Sequence, residues 1–227
     1  MQIYDNIRNI RERIKLTCEH SGRDPEEITL IAVSKTKPVE AIQQAVDCGE
    51  RHFGENKVQE LISKMEKFGD GPHWHMIGAL QTNKIKYLVH RVNWIHSIGK
   101  LKQLKEVEKR AGAIERAVNV LVQINISAED QKSGFAPDDL KEVLTYAQTL
   151  KWARVQGLMG MATFTEDVEV IRPEFKLLRE LRDTHKKLET ENVKMHHLSM
   201  GMTNDLETAI EEGSTMVRIG TAIFGGR

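Results

Sequence analysis

The sequence predicts an α/β fold, a single-domain (β/α)8 TIM barrel with an extra N-terminal helix and no helix after the eighth strand. Its 227 residues suit one barrel of about 200–250 residues. Eight short apolar runs recur, and each except the last precedes an amphipathic helix, a pattern typical of parallel strands joined by crossovers. An open doubly wound sheet is the alternative, but no G-x-G-x-x-G follows any of the runs, which counts against it.

The first predicted element is a helix over about residues 2–20. Its apolar residues recur at helical spacing and form one stripe, at Ile3, Ile7, Ile10 and Ile14. Ser21 and Gly22 end this helix. Because no helix is predicted after the last strand, we expect the stripe to cover that strand instead.

Strands and helices then alternate along the chain. The predicted strands are the apolar runs 29–36, 52–56, 73–78, 94–99, 118–127, 155–163, 196–200 and 215–224. The predicted helices are the amphipathic segments 38–48, 57–68, 83–92, 101–116, 137–150, 173–191 and 204–212. The runs around 31–33 and 120–122 are apolar on both faces, which favours parallel strands buried on both sides.

The composition indicates an ordinary globular protein in a reducing compartment. Lysine plus arginine (33) equals aspartate plus glutamate (33), so no basic surface for nucleic acid is expected. Cys18 and Cys48 are too few for a disulfide framework or a four-cysteine zinc site. No run of about 18 apolar residues occurs, and residues 1–13 are too charged for a signal peptide. We therefore expect a cytoplasmic protein with no membrane partner, no nucleic-acid partner and no metal.

A lysine at the end of the first predicted strand is the most informative residue. Lys35 lies in AVSKTKP (32–38), at the strand end where barrels gather their reactive groups. Strand alternation puts it on the face of Ile31 and Val33, so we expect burial to favour a neutral amine that can form a Schiff base with an aldehyde. Lys37 has the same parity, and a solvated lysine with only its stem packed stays open as the alternative.

The second informative region lies at the ends of the last two predicted strands, where barrels commonly bind phosphate. Ser199 and Thr221 offer hydroxyl donors, and Gly220 allows close approach to the backbone, although such residues also serve turns alone. Arg218 lies between apolar strand residues, where arginine is rarely unpaired. An amine on strand one with a phosphate cradle on strands seven and eight predicts a phosphorylated aldehyde ligand. Pyridoxal 5′-phosphate (PLP) fits both ends.

At these residues the sequence resembles the PLP homeostasis proteins, PLP-binding barrels related to the N-terminal domain of alanine racemase. Six ordered motifs carry the resemblance: AVSKTKP (32–38), FGENKVQE (53–60), WHMIGALQTNK (74–84), GLMGMAT (157–163), HLSMGMTND (197–205) and VRIGTAIFGGR (217–227). They span nearly the whole chain, while the N-terminal helix matches only in character. One departure is Thr203, where the family usually has serine; the hydroxyl is kept, and the added methyl group can shift that turn.

The resemblance implies a set of cofactor-binding residues and no catalytic residue. In this set Lys35 holds PLP as an internal aldimine and Asn56 lines the pocket. Arg218 faces the pyridine nitrogen, and the phosphate is bound by Ser199, Gly220 and Thr221. Met159 and His75 also lie in matched motifs and rank second.

The resemblance further implies a monomer that serves intracellular PLP homeostasis, with PLP-requiring apoenzymes as recipients and little or no catalysis of its own. Arg218 beside the ring nitrogen would disfavour its protonation and weaken the ring as an electron sink. The sequence after strand eight, ending at Arg227, also offers no second β domain to supply another base. Two alternatives stay open. One is a PLP-dependent, racemase-like enzyme with His75, Tyr87 or Tyr146 as its base, and the other is a phosphate-binding barrel that forms no Schiff base.

Overall fold

The computed structural model describes residues 2–127 and 133–226 and contains a closed barrel of eight parallel strands. The strands follow one another around the barrel in chain order, and β1 pairs with β8 to close it. Their bounds are β1 Thr29–Val33, β2 His52–Glu55, β3 His73–Met76, β4 Trp94–Ile98, β5 Val118–Gln123, β6 Ala153–Met159, β7 Val193–Ser199 and β8 Met216–Ile219. The predicted α/β class and (β/α)8 architecture are confirmed.

The helices connect the strands and pack around the barrel. Their bounds are α1 Gln2–Ser21, α2 Val39–Asp47, α3 Val58–Phe68, α4 Leu101–Gly112, α5 Leu140–Ala147, α6 Val168–His185, α7 Leu206–Glu211 and α8 Thr221–Phe224. Between β3 and β4 the chain forms a 3-10 helix, Thr82–Tyr87, rather than the α-helix predicted over 83–92. Ile85 and Leu88, both fully buried, are three residues apart, which is the spacing that three residues per turn brings to one side. None of the described helices is long and apolar enough to cross a membrane.

The N-terminal helix α1 takes the place of a full eighth crossover helix. It contacts α2, α7 and α8 and buries Ile7, Ile10 and Ile14, three residues of the predicted stripe. The side-chain amide of Asn6 donates to the carbonyl oxygen of Ile223 at 2.8 Å, which joins α1 to the segment after β8.

The segment after β8 differs from the prediction. One helical turn, α8, follows the strand, so the expectation of no helix there is corrected, as is the strand predicted over 215–224. β8 ends at Ile219 because Gly220, with φ −116° and ψ −74°, leaves the strand conformation. With four residues, α8 is much shorter than the other crossover helices, and α1 packs against it.

Apolar side chains form two layers. The larger layer lies between the strands and the helices. A smaller cluster fills the barrel interior and consists of Ile31, Leu121, Met159 and Met216.

Candidate functional site

A cavity of about 850 Å³ opens at the carboxyl ends of the strands. Five of the six predicted cofactor-binding residues line it, namely Lys35, Asn56, Arg218, Gly220 and Thr221. They follow or belong to β1, β2 and β8, and β1 pairs with both of the others, so these side chains are gathered on one side of the barrel mouth. The remaining predicted residue, Ser199, does not line the cavity.

The amine of Lys35 is free, whereas the amine of Lys37 is engaged. Among residues 2–127 and 133–226, Lys35 Nζ has no hydrogen-bond or ion-pair partner, and the residue is exposed at the cavity. Lys37 Nζ donates to the carbonyl oxygens of Gly225 at 3.0 Å and Gly226 at 2.7 Å. The structure therefore separates two lysines that strand alternation leaves equivalent. The expected burial of Lys35 is wrong, because its side chain extends from the strand end into open space.

Arg218 is a buried cation at the base of the cavity, with only 5% of its surface exposed. Its Nη1 donates to the carbonyl oxygen of Ser199 at 2.7 Å and to Ser199 Oγ at 2.6 Å, and its Nη2 donates to the carbonyl oxygen of Gly160 at 3.0 Å. Burial lowers the pKa of Arg218 to about 10, against the opposing effect of Asp205, so the guanidinium stays charged at neutral pH. Three hydrogen bonds thus hold one positive charge in a fixed place.

Ser199 supports Arg218 from below. The residue is fully buried, and its Oγ lies 2.9 Å from Nδ1 of His96 in addition to its contact with Arg218. The loop after β7 presents other groups to the cavity, among them Thr203 and Asp205. The hydroxyl that this loop offers to a ligand is therefore that of Thr203, the position that departs from the family pattern.

Three histidines continue the contacts of Ser199 through the barrel interior and form what we call the histidine row: His96, His75 and His52. His96 Nε2 lies 2.8 Å from His75 Nδ1, and His75 Nε2 lies 3.0 Å from His52 Nδ1. A guanidinium can only donate, so Ser199 Oγ accepts from Arg218. In each contact between neighbouring histidines of the row one ring nitrogen donates and the other accepts, and the tautomers set the direction.

Burial keeps the histidine row neutral. It is the main reason that the pKa values of His75 and His96 lie well below the ordinary range, with the charge of Arg218 adding to the effect on His96. Burial also lowers the pKa of His52 to about 4, and His73 and Arg11 lower it further.

Replacing His52 with glutamine is expected to make the stability of the protein less sensitive to acid. Below pH 6.5 the unfolded chain protonates this histidine, whereas the folded protein does so only near pH 4. The native protein therefore loses stability as the pH falls between these values. The glutamine amide can either accept from His75 or donate to it, and it does not titrate. On acidification the variant should therefore lose about 2 kcal/mol less unfolding free energy than wild type, a figure reduced from the full pKa shift because the ring is partly exposed.

Denaturant unfolding at about pH 7 and about pH 4.5 measures this difference. Burial raises the pKa values of Glu50 and Glu55, which favours the folded state in acid, but it does so equally in both proteins and cancels. The exposed His90 provides the matched control, and His90→Gln should follow the wild type. A His52→Gln variant with the same acid sensitivity as wild type would contradict the prediction.

Met159 and His75, the two residues ranked second in the sequence analysis, do not line the cavity. Met159 belongs to the interior apolar cluster, and His75 belongs to the histidine row. Asn56 lines the cavity and is half-buried there.

Comparisons with known proteins agree with the barrel fold. A family model described as the alanine racemase N-terminal domain matches residues 4–227. A relative from Aquifex aeolicus, named pyridoxal phosphate homeostasis protein, is 43% identical over 229 residues, covering 100% of this chain and 99% of its own. The solved structure of PipY from Synechococcus elongatus with PLP bound has a TM-score of 0.85 and 31% identity, covering 99% of this chain and 100% of that one. An alanine racemase from Clostridium difficile has a TM-score of 0.76 at 14% identity, covering 100% of this chain and 56% of its own, and shows the fold alone.

Proposed function

The chain belongs to the pyridoxal phosphate homeostasis proteins, within the alanine racemase N-terminal domain family, and from this premise we propose that it binds PLP through Lys35 and serves PLP homeostasis in the cytoplasm. Residues 1–227 act in this proposal as one PLP-binding domain, since the cavity takes its lining from Val33 in β1 through to Gly225 after α8.

The free amine of Lys35, in one cavity with the buried cation Arg218, is the observation that carries the proposal. When bound, PLP supplies an aldehyde that condenses with a lysine amine, with loss of one water, to give a Schiff base. Lys35 can offer this amine because no other described group occupies it. Lys37 is less available, since it would first have to release two carbonyl oxygens.

The donor set of the cavity fits the rest of the cofactor. The hydroxyls of Thr203 and Thr221 and the backbone at Gly220 can bind a phosphate, and Arg218 can face the pyridine nitrogen. A Cβ at Gly220 would lie 3.2 Å from the carbonyl oxygen of Val33, so a side chain there would crowd β1. The cavity volume of about 850 Å³ is within the range of about 300–1,000 Å³ usual for small-molecule sites.

The titratable groups around the cavity support a holding role rather than catalysis. Among the described lining residues they are Lys35, Lys37, Asp205 and Arg218. Arg218 disfavours protonation of a ring nitrogen beside it, which weakens the ring as an electron sink. The three bases named for a racemase do not line the cavity: His75, Tyr87 and Tyr146.

Borohydride trapping tests the proposal. The purified protein is mixed with PLP, reduced, digested and mapped by mass spectrometry. We expect one adduct, on the peptide that contains Lys35. An adduct on Lys37 or on scattered surface lysines would reject the assignment, and phosphate-ligand binding without any adduct would favour a barrel that forms no Schiff base.

Deuterium exchange at Cα of a panel of amino acids tests the racemase alternative. We expect no exchange above that of free PLP. Exchange that is fast and is lost in Lys35→Ala would instead identify an enzyme.

We further propose that the protein acts as a monomer and passes PLP to apoenzymes that require it. The single chain supplies every group of the donor set described above, so no second copy is needed to complete it. Size-exclusion chromatography tests the monomer. For transfer, the PLP-loaded protein should activate an apoenzyme in the presence of a scavenger of free PLP, and failure to do so would reject direct delivery.

A further inference from the structure

A buried charged cluster lies directly behind Lys35. Lys64 on α3 donates from Nζ to Glu55 Oε1 at 2.7 Å and to Glu60 Oε1 at 2.7 Å. The side chain of Lys64 is 7% exposed and that of Glu55 is 0% exposed. We call these three residues the lysine–glutamate cluster.

This cluster forms hydrogen bonds to the backbone on both sides of Lys35. On one side, Lys64 Nζ donates to the carbonyl oxygen of Ser34 at 2.8 Å. On the other side, the backbone N–H of Thr36 donates to Glu60 Oε1 at 2.6 Å. Since Lys64 and Glu60 are also bonded to each other, the peptide groups before and after Lys35 are tied to one rigid unit on α3.

Ser34 is held a second time through its side chain. Its hydroxyl donates to Glu55 Oε1 at 2.6 Å, so the same carboxylate oxygen receives both Ser34 and Lys64. Glu55 ends β2, the strand that pairs with β1. The strand end that carries Lys35 is thereby fixed to its neighbouring strand as well as to α3.

The backbone just after Lys35 is strained. Thr36 has φ +64°, in the left-handed region that β-branched residues rarely adopt. Such a conformation persists only where surrounding contacts enforce it, and it is concentrated at ligand-binding positions. The bond from Thr36 to Glu60 is one of the enforcing contacts, and it fixes the turn that follows Lys35.

Fold stability alone does not account for the cluster. A buried lysine–glutamate pair stabilises a protein no better than apolar residues of similar volume. Lys64 occupies the buried stripe of α3 beside Leu61 and Met65, a position typical of apolar residues. Glu55 Oε2 is buried without a partner among the described residues, and burial raises the pKa of this carboxyl against the opposing bonds from Lys64 and Ser34. The cluster lies at the place where it fixes the backbone around Lys35.

We propose that Lys64 and Glu60 are positioning residues that hold the backbone of Lys35 so that its amine extends into the cavity in reach of an aldehyde carbon. The inference rests on the proposed function, since it concerns the reaction of Lys35 with an aldehyde. It assigns no contact between the cluster and the ligand. Lys64 and Glu60 act only through Ser34 and Thr36.

Comparing two ligands shows whether the cluster positions the Lys35 amine or supports the shape of the whole cavity. PLP reports on both binding and bond formation by the amine, whereas pyridoxine 5′-phosphate has the ring and the phosphate but no aldehyde. In Lys64→Met and Glu60→Ala we expect the rate constant for Schiff-base formation to fall by about tenfold or more, since misplacing a reacting group by about 1 Å costs up to about 100-fold in rate. The Kd for pyridoxine 5′-phosphate should stay within about twofold of wild type, because the cluster does not touch the residues that bind phosphate.

Matched variants complete the test. Lys67→Met removes an exposed lysine from the same helix and should behave as wild type with both ligands. Glu60→Gln keeps an oxygen that can accept from Thr36 and should recover much of what Glu60→Ala loses. If Lys64→Met does not fold, Glu60→Ala decides the question, because the side chain of Glu60 is 23% exposed and its loss disturbs the interior less.

The outcomes distinguish the proposed function of the protein from the positioning role of Lys64 and Glu60. Wild-type protein without an adduct on Lys35 would overturn the proposed function itself. An adduct in wild type with unchanged Schiff-base formation in both variants would overturn the positioning role alone. Equal losses for PLP and pyridoxine 5′-phosphate would also overturn it, by assigning the cluster to the cavity as a whole.

Discussion

Lys35→Ala is expected to abolish the borohydride-trapped PLP adduct, while Lys37→Ala should retain it. The two lysines are two residues apart and both line the cavity, which makes each the matched control of the other. Lys35 is without a partner among the described residues, whereas Lys37 already binds two carbonyl oxygens after α8. Intact-mass measurement after reduction gives the result directly.

The same variant tests whether Lys35 has any part in the fold. Its exposed side chain has no described partner, so the free energy of unfolding of ligand-free Lys35→Ala should stay within about 0.5 kcal/mol of wild type. A larger loss would mean that Lys35 is a structural residue. Retention of the adduct in this variant would move the site to another amine.

Gly157→Ala is expected to destabilise the protein by about 3 kcal/mol or more, the sum of an unfavourable backbone conformation and a steric clash. Gly157 has φ +148°, and it pairs with His197 between β6 and β7. A Cβ at this position would lie 1.9 Å from the carbonyl oxygen of His197, where no flexible side chain can give way. The two strands would have to separate next to the residues that support Arg218.

Gly71→Ala is the control for that change. Gly71 is exposed, and an added Cβ would meet only the carbonyl oxygen of Phe68, at an ordinary 3.7 Å. Denaturant unfolding of both variants should place Gly71→Ala within about 0.5 kcal/mol of wild type. Equal stabilities for the two variants would show that β6 and β7 tolerate a side chain at Gly157.

Local patterns along the chain are sufficient to predict the barrel and the position of Lys35. Alternating apolar runs and amphipathic helices dictate parallel pairing, and parallel pairing brings the ends of β1 and β8 together. The patterns do not show whether a side chain at a strand end lies inside the barrel or lines the cavity above it. Ser199 and Thr203 both lie in HLSMGMTND, but Ser199 ends β7 with its side chain inside the barrel, whereas Thr203 follows after the chain has turned outward. The place of Ser199 at a strand end and the resemblance both predict a phosphate contact for it, and neither reveals that its side chain does not line the cavity.

The lysine–glutamate cluster and the histidine row depend on pairing between elements, which no single segment reveals. The sequence did contain one signal for Lys64. It lies on the buried stripe of α3, three residues after Leu61, where a charge is unexpected. Two of its partners come from β2 and from the turn after β1, and these can be identified only once the strands are in register. The histidine row similarly requires His52, His75 and His96 on three successive strands to face one another across the barrel interior.

The place of α1 has a consequence for how the chain reaches its native state during synthesis. The bond from Asn6 to Ile223 joins residues 217 positions apart, and the apolar stripe of α1 is completed by α7 and α8. During synthesis α1 therefore emerges long before the segments that cover part of its apolar side. Contacts between such distant residues form slowly. We expect the nascent chain to need protection from aggregation at this helix until the segment around Ile223 has emerged.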